Sequence, residues 1–216
     1  MSKPSIPPDG AALPAPENLT LPELREAAAS CKACDLYKTG TQTIFGEGNP
    51  KAKVMMIGEQ PGNSEDLEGK PFVGPAGRLL DKALEQAGID RSKVYVTNVV
   101  KHFKWILVGK RRIHSKPNAR EIAACRPWLV AEIAQVKPKV IVCLGATAAQ
   151  ALLGKNFRVT RQRGEFVPSP LAPYVLATVH PSAILPAPDD RAREAEIESL
   201  VADLRKVAEL LREKGW

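Results

Sequence analysis

Across 216 residues the chain has only three histidines and four cysteines, and aromatic residues make up 5% of it. Any imidazole or thiolate chemistry must therefore use a few identifiable positions. No stretch approaches the roughly 20 consecutive apolar residues of a membrane span. The opening residues, MSKPSIPPDGAALPAPENL, lack the apolar core of an export signal. These absences exclude a membrane-embedded protein and predict a cytoplasmic one. In a reducing compartment cysteines serve more often as ligands or core residues than as disulfides. There is no internal repeat, which excludes a solenoid. No G-x-G-x-x-G follows the first predicted strand, which argues against a dinucleotide-binding protein. Acid is scarce in one region. Between Lys101 and Arg126 one carboxylate, Glu121, faces eight Lys or Arg residues, at positions 101, 104, 110, 111, 112, 116, 120 and 126. With a net charge of +7, that density suits a polyanionic partner such as nucleic acid, although a solvated helix face plus a loop gives the same count.

An apolar content of 44% with 25% charged residues is ordinary for a globular protein. The length suits one domain. Residues 1–19, rich in Pro, Ala and Gly, read as a disordered tail, and the domain is expected over 20–216. Thr20, Pro22 and Glu23 open a helix. Lys53–Gly58 (KVMMIG), Val94–Asn98, Lys139–Gly145 and Tyr174–Val179 read as buried strands. Pro75–Ile89, Pro117–Val136, Ala146–Leu153 and Arg191–Glu213 read as helices, and Phe157–Val167 as a hairpin. Strands alternating with helices predict a three-layer α/β/α domain around a central four-stranded, mainly parallel sheet. Ligands bind such sheets at the carboxyl ends of the strands. Here those ends deliver GEQPG, TNVVKH, LGATA and VHPSA to one rim. Singly, each has a structural reading: a tight turn, a capped strand end, a satisfied loop histidine. Their arrival together at one edge weakens that reading. All three histidines (102, 114 and 180) lie in or just after these segments.

Cys31-x-x-Cys34 alone suits zinc, an iron–sulfur cluster or a redox pair equally. Cys143, inside the apolar VIVCLG, reads as a buried core residue. The loop GKRRIHS (109–115) places a histidine at the end of three cations, where phosphate binding has no need of one.

FGEGNPKAKVMMIGEQPG, EDLEGKPFVGPAGRLLDKAL, VYVTNVVK, ACRPWL and VHPSA together resemble the iron–sulfur uracil-DNA glycosylases of the family 4 type, from Cys31 to about Val207. Three departures from the usual pattern resemble the UdgX subgroup: Gln60 in place of glycine, His102 in place of the cysteine after Lys101, and the added GKRRIHS loop. The resemblance implies a uracil-DNA glycosylase fold and a [4Fe–4S] cluster on Cys31, Cys34, His102 and Cys125, with a structural role; zinc is the alternative. It implies a monomer acting on uracil-containing DNA, single-stranded or duplex, that flips the base into a pocket. There Phe72 would stack on uracil and Asn98 would read its edge. His180 would donate to O2, and backbone N–H groups of the loop from Gly58 would assist. Glu59 positions water in an ordinary member. In this chain the subgroup resemblance implies that His114 captures the sugar carbon C1′ instead, as a covalent protein–DNA adduct. Lys110, Arg111 and Arg112 would dock the loop on phosphates, and Gln60 would help to hold it. Two other outcomes stay open: a conventional glycosylase releasing an abasic site, and an iron–sulfur nucleic-acid-binding module that recognises uracil without cleaving it. The apolar Trp105–Val108 reads as a loop facing DNA, with no assigned task.

Overall fold

A computed structural model describes residues 19–216; apart from Leu19, the expected tail lies outside the described residues. In chain order the elements are α1 (Leu21–Ala29), a 3-10 turn (Asp35–Lys38), β1 (Glu47–Gly48), β2 (Val54–Gly58), α2 (Asn63–Glu68) and α3 (Pro75–Ala87). A second 3-10 turn (Arg91–Lys93) leads to β3 (Val94–Asn98), β4 (Trp105–Val108), β5 (Arg111–His114) and α4 (Ala119–Val136). Then come β6 (Val140–Leu144), α5 (Ala146–Leu153), α6 (Val159–Gln162), β7 (Phe166–Val167), β8 (Tyr174–Thr178), α7 (Pro181–Ile184) and α8 (Asp190–Glu213).

The main sheet has six strands in the order β1-β3-β2-β6-β8-β7. The four long strands are mutually parallel, as read from their apolar runs. The expectation of four strands is corrected by β1 and β7, which add antiparallel to the two edges. Each spans two residues, too few to carry a hydrophobic period. Side chains alternate across a strand, and here both faces are covered. Met55, Ile57, Ile141 and Cys143 pack with Leu24, Leu129, Ile133 and Ala148 of α1, α4 and α5. Met56, Val96, Val142 and Leu176 pack with Leu80, Leu84, Ile184 and Leu204 of α3, α7 and α8. The result is three layers.

Two local readings are corrected. Residues 157–167 do not form a hairpin: Val159–Gln162 is helical, and Phe166–Val167 pairs with β8 instead. Trp105–Val108 is not an irregular loop but one arm of a separate two-stranded ribbon with β5. Gly109, at φ 60°, makes the turn between its arms.

The chain leaves β2 for β3 on one side and returns to β6 on the other. The carboxyl ends of β2 and β6 thus flank a switch point, where the crossovers diverge and leave a crevice.

Candidate active site

A cavity of about 470 Å³ opens at that crevice. Its lining includes Glu59, Gln60, Phe72, Asn98, His114 and His180 from the expected set. Gly58, also expected there, is not in the lining but lies next to three residues that are. Gly58 and Asn98 are register partners at the ends of β2 and β3. A methyl group on Gly58 would collide with Asn98 Oδ1 and come within 2.9 Å of Phe72 Cζ and 3.3 Å of His180 Nε2. Three side chains thus converge on one point that only glycine leaves open.

Phe72 reaches that point with a left-handed backbone, φ 57°, a conformation costing about 1–3 kcal/mol in a residue other than glycine. The loop is braced from two sides. Gly77 of α3 lies directly beneath it, and a Cβ there would collide with the Phe72 carbonyl. Glu65 of α2 accepts N–H bonds from Gly62 (3.0 Å) and Gly74 (2.7 Å), tying the loop after β2 to the loop after Phe72. The Phe72 ring faces the His180 ring with centroids 6.1 Å apart.

Asn98 is buried, and its Oδ1 has no hydrogen-bond partner. An orphaned buried acceptor is costly, and this one borders the cavity. His180 Nδ1 accepts from the backbone N–H of Ser182 (3.1 Å) and pairs with its hydroxyl at 2.8 Å. With Nδ1 accepting, the neutral ring carries its proton on Nε2, toward Gly58. Burial pushes the pKa of His180 down to about 4, against the opposing charge of Glu59. The ring is therefore a neutral donor at pH 7.

Glu59 accepts from Thr147 on one oxygen and pairs with His114 Nε2 at 3.1 Å on the other. Burial raises its pKa, but the bonds to His114 and Thr147, with the charges of His114 and Lys116, outweigh this and leave it below the usual value. His114 ends β5 and therefore stands at the foot of the ribbon. Gln60 holds that foot: its Nε2 donates to the carbonyls of Lys104 (3.0 Å) and Ser115 (3.1 Å), and its Oε1 accepts from Lys104 N–H (3.1 Å).

The three loop cations separate. Lys110 and Arg111 are exposed at the ribbon tip. Arg112 turns inward, and one of its terminal nitrogens, Nη2, has no hydrogen-bond partner. The guanidinium pairs with buried Asp66 at 2.7 Å, donates to Asn63 at 2.8 Å, and stacks 5.5 Å from the Phe103 and Trp105 ring centres. Lys101, counted in the basic run, is 1% exposed and faces the core.

Sequence reasoning missed Thr147, Ser182, Glu65 and Lys116, all in the cavity lining. Thr147 and Ser182 lie within the LGATA and VHPSA rim segments, so their position was signalled. Their partners were not.

Cys31, Cys34, Cys125 and Cys143 are all free thiols. Cys143 is buried in β6, as its apolar neighbours imply. The other three gather between the N-terminal segment and α4. Burial raises the pKa of Cys34, and the charge of Cys31 adds to it; burial pushes Cys125 up to about 12. Cys31 accepts from Trp128 Nε1 at 3.3 Å, and Cys125 from Lys101 N–H at 3.2 Å. Three soft sulfurs with N–H donors fit an iron–sulfur group. Among the described residues no group of three or more His, Cys, Asp or Glu side chains is drawn together as for a bound metal ion. His102 is buried, with Nε2 bonded to Thr43 Oγ1 at 3.0 Å. As fourth ligand it would use Nδ1 or release that bond.

Residues 45–205 match the uracil DNA glycosylase superfamily. A type-4 uracil-DNA glycosylase of Archaeoglobus fulgidus is 35% identical over 209 residues, covering 90% of this chain and 95% of that protein. Type-4 enzymes of Sulfurisphaera tokodaii (37% over 202 residues; 88% and 84% covered) and Thermotoga maritima (36% over 192; 88% and 94%) are similar to the same extent. The chain belongs to the uracil-DNA glycosylase superfamily.

Proposed function

We propose that the chain excises uracil from DNA and that His114 then bonds to the deoxyribose. Uracil excision is supported by the relatives' names together with the pocket. Asn98 presents one donor and one acceptor, which match uracil O4 and N3–H and mismatch cytosine at both. The Oδ1 atom without a partner is the acceptor that N3–H would satisfy. Phe72 offers the stacking face. As the C1′–N1 bond breaks, its electron pair moves onto uracil, and the Nε2–H of His180 meets the charge growing on O2.

The sugar left behind is an electron-poor carbon. With Nε2–H donating to Glu59, the lone pair of His114 is on Nδ1, in a ring that lines the cavity. Attack by Nδ1 forms the N–C1′ bond, and the positive charge left on the ring is balanced by the ionised Glu59 carboxylate beside Nε2–H. An alkylated imidazole is a poor leaving group, so the enzyme would turn over once. The observation that carries this reading is the 3.1 Å approach of His114 Nε2 to the Glu59 carboxylate, both residues lining the same cavity. A second reading has the relatives' names in its favour: conventional turnover, with water activated by Glu59.

The ribbon brings Lys110 and Arg111 toward phosphates, while Arg112 clamps it to α2. Cys31, Cys34 and Cys125, with His102, would hold a [4Fe–4S] cluster. When bound, that group supplies a covalent tie between the N-terminal segment and α4. Excision as written needs no electron transfer.

A denaturing gel tests the reading. Uracil-containing single-stranded DNA should give a heat-stable, slower band that His114→Ala abolishes. A persistent band in that variant overturns the assignment of His114.

A further inference from the structure

Behind Asn98, on the side away from the cavity, lies a buried ion pair that the reaction does not touch. Lys101 is 1% exposed and Glu132 is fully buried. Lys101 Nζ bonds the Glu132 carboxylate, donates to Thr97 Oγ1 at 2.6 Å, and donates to the backbone carbonyl of Asn98 at 2.7 Å. Glu132 also accepts from Tyr95 OH (3.0 Å), Thr97 Oγ1 (3.0 Å) and the N–H of Gly46 (2.8 Å). The backbone N–H of Lys101 lies on Cys125 Sγ. Every polar atom of the pair has its partners, while Oδ1 of the residue they hold has none.

A buried pair contributes little to stability compared with apolar residues of the same volume, so its presence here calls for another reason. We infer that Lys101 and Glu132 are positioning residues for Asn98, fixing the peptide from which the uracil-reading amide projects. A carbonyl held by an ammonium, itself fixed by a carboxylate with three further donors, cannot rotate without breaking a charged contact. The amide therefore meets the base already oriented. The same network explains Gly46 of the FGEG segment. A methyl on Gly46 would collide with Glu132 and approach the Tyr95 ring and hydroxyl to 2.5 Å. Glycine there lets the backbone close over the carboxylate.

This inference rests on Asn98 reading uracil, and the test separates the two claims. Lys101→Met combined with Glu132→Gln removes both charges at similar volume. Thermal melting and the visible absorbance of the cluster report folding and cluster retention. Single-turnover excision of uracil from single-stranded DNA should fall about 10–100-fold, the scale of a misplacement near 1 Å. Selectivity for uracil over cytosine should fall with it. In an Asn98→Ala background the same pair of substitutions should add less than about twofold, because residues acting through one group are not additive. If the double variant fails to fold, Gly46→Ala, which presses on Glu132 from the far side, takes its place with the same expected non-additivity. Undiminished excision by the variant, or an equal loss in the Asn98→Ala background, overturns the inference. No uracil release by the wild-type protein sinks the proposed function and this inference with it.

Discussion

Burial alone would make Glu59 harder to ionise, and the donors on its two oxygens reverse that sign. A carboxylate with a depressed pKa stays charged as pH falls and is lost only on passing through its lowered value. Capture of the sugar with the help of ionised Glu59 should therefore not lose that carboxylate until pH falls below the ordinary carboxylate range. Thr147→Val removes one of the two donors and should move the acid limb of the single-turnover pH profile upward. An unmoved limb would mean that ionised Glu59 does not govern the step. His180 works the other way. Its folded pKa near 4 lies below the unfolded value near 6.5, so the unfolded chain takes up that proton first. The contribution of His180 to stability is intact above about 6.5 and declines as pH falls toward about 4, which urea titrations across that window would follow. At this scale the sequence was informative about identity: Glu59, Asn98, Phe72, His114 and His180 all line one cavity. It was silent about partners. Nothing in a linear chain says that Thr147 will meet Glu59 from 88 residues away, or that Arg112 will pair with Asp66.

Among the elements, the ribbon of β4 and β5 and the short helix α2 were the hardest to read. Six residues of α2 give too little period to register, yet they carry Glu65 and Asp66, which fix the loops and the ribbon. Apolar residues on a two-stranded ribbon look like a core segment in sequence, although Ile106, Leu107 and Val108 are more than half exposed. Long buried strands were legible because both of their faces are apolar. The ribbon places His114, so loosening it should separate the two steps of the reaction. Gln60→Ala removes three hydrogen bonds at its foot and should cost about 1–3 kcal/mol in urea denaturation. Adduct formed per uracil released should fall more than excision itself. Gly77→Ala acts on the other wall: by displacing the Phe72 backbone it should depress excision and leave the ratio of adduct to excision unchanged.

For the molecule as a whole, net charge pointed to a polyanion but overcounted the groups that can meet one. Lys101 is buried against Glu132, Arg112 pairs with Asp66, and Lys104 pairs with Glu121 at 2.9 Å. Lys110, Arg111, Lys116, Arg120 and Arg126 remain exposed. Each phosphate contact on single-stranded DNA contributes about −0.7 to the slope of log K against log salt. Replacing Lys110 and Arg111 with serine should therefore flatten that slope by about 1.4, and an unchanged slope would remove the ribbon tip from the DNA contact. The architecture was readable because a parallel sheet has one ligand-binding edge, and the two-residue edge strands do not alter it. Where the account departs from the relatives' names is the fate of the sugar, and intact mass spectrometry after incubation with a short uracil oligonucleotide addresses that directly. Capture by His114 should give one protein species heavier by the oligonucleotide less uracil, at one per chain and absent in His114→Ala. Unmodified protein beside abasic oligonucleotide in molar excess over it would contradict capture by His114.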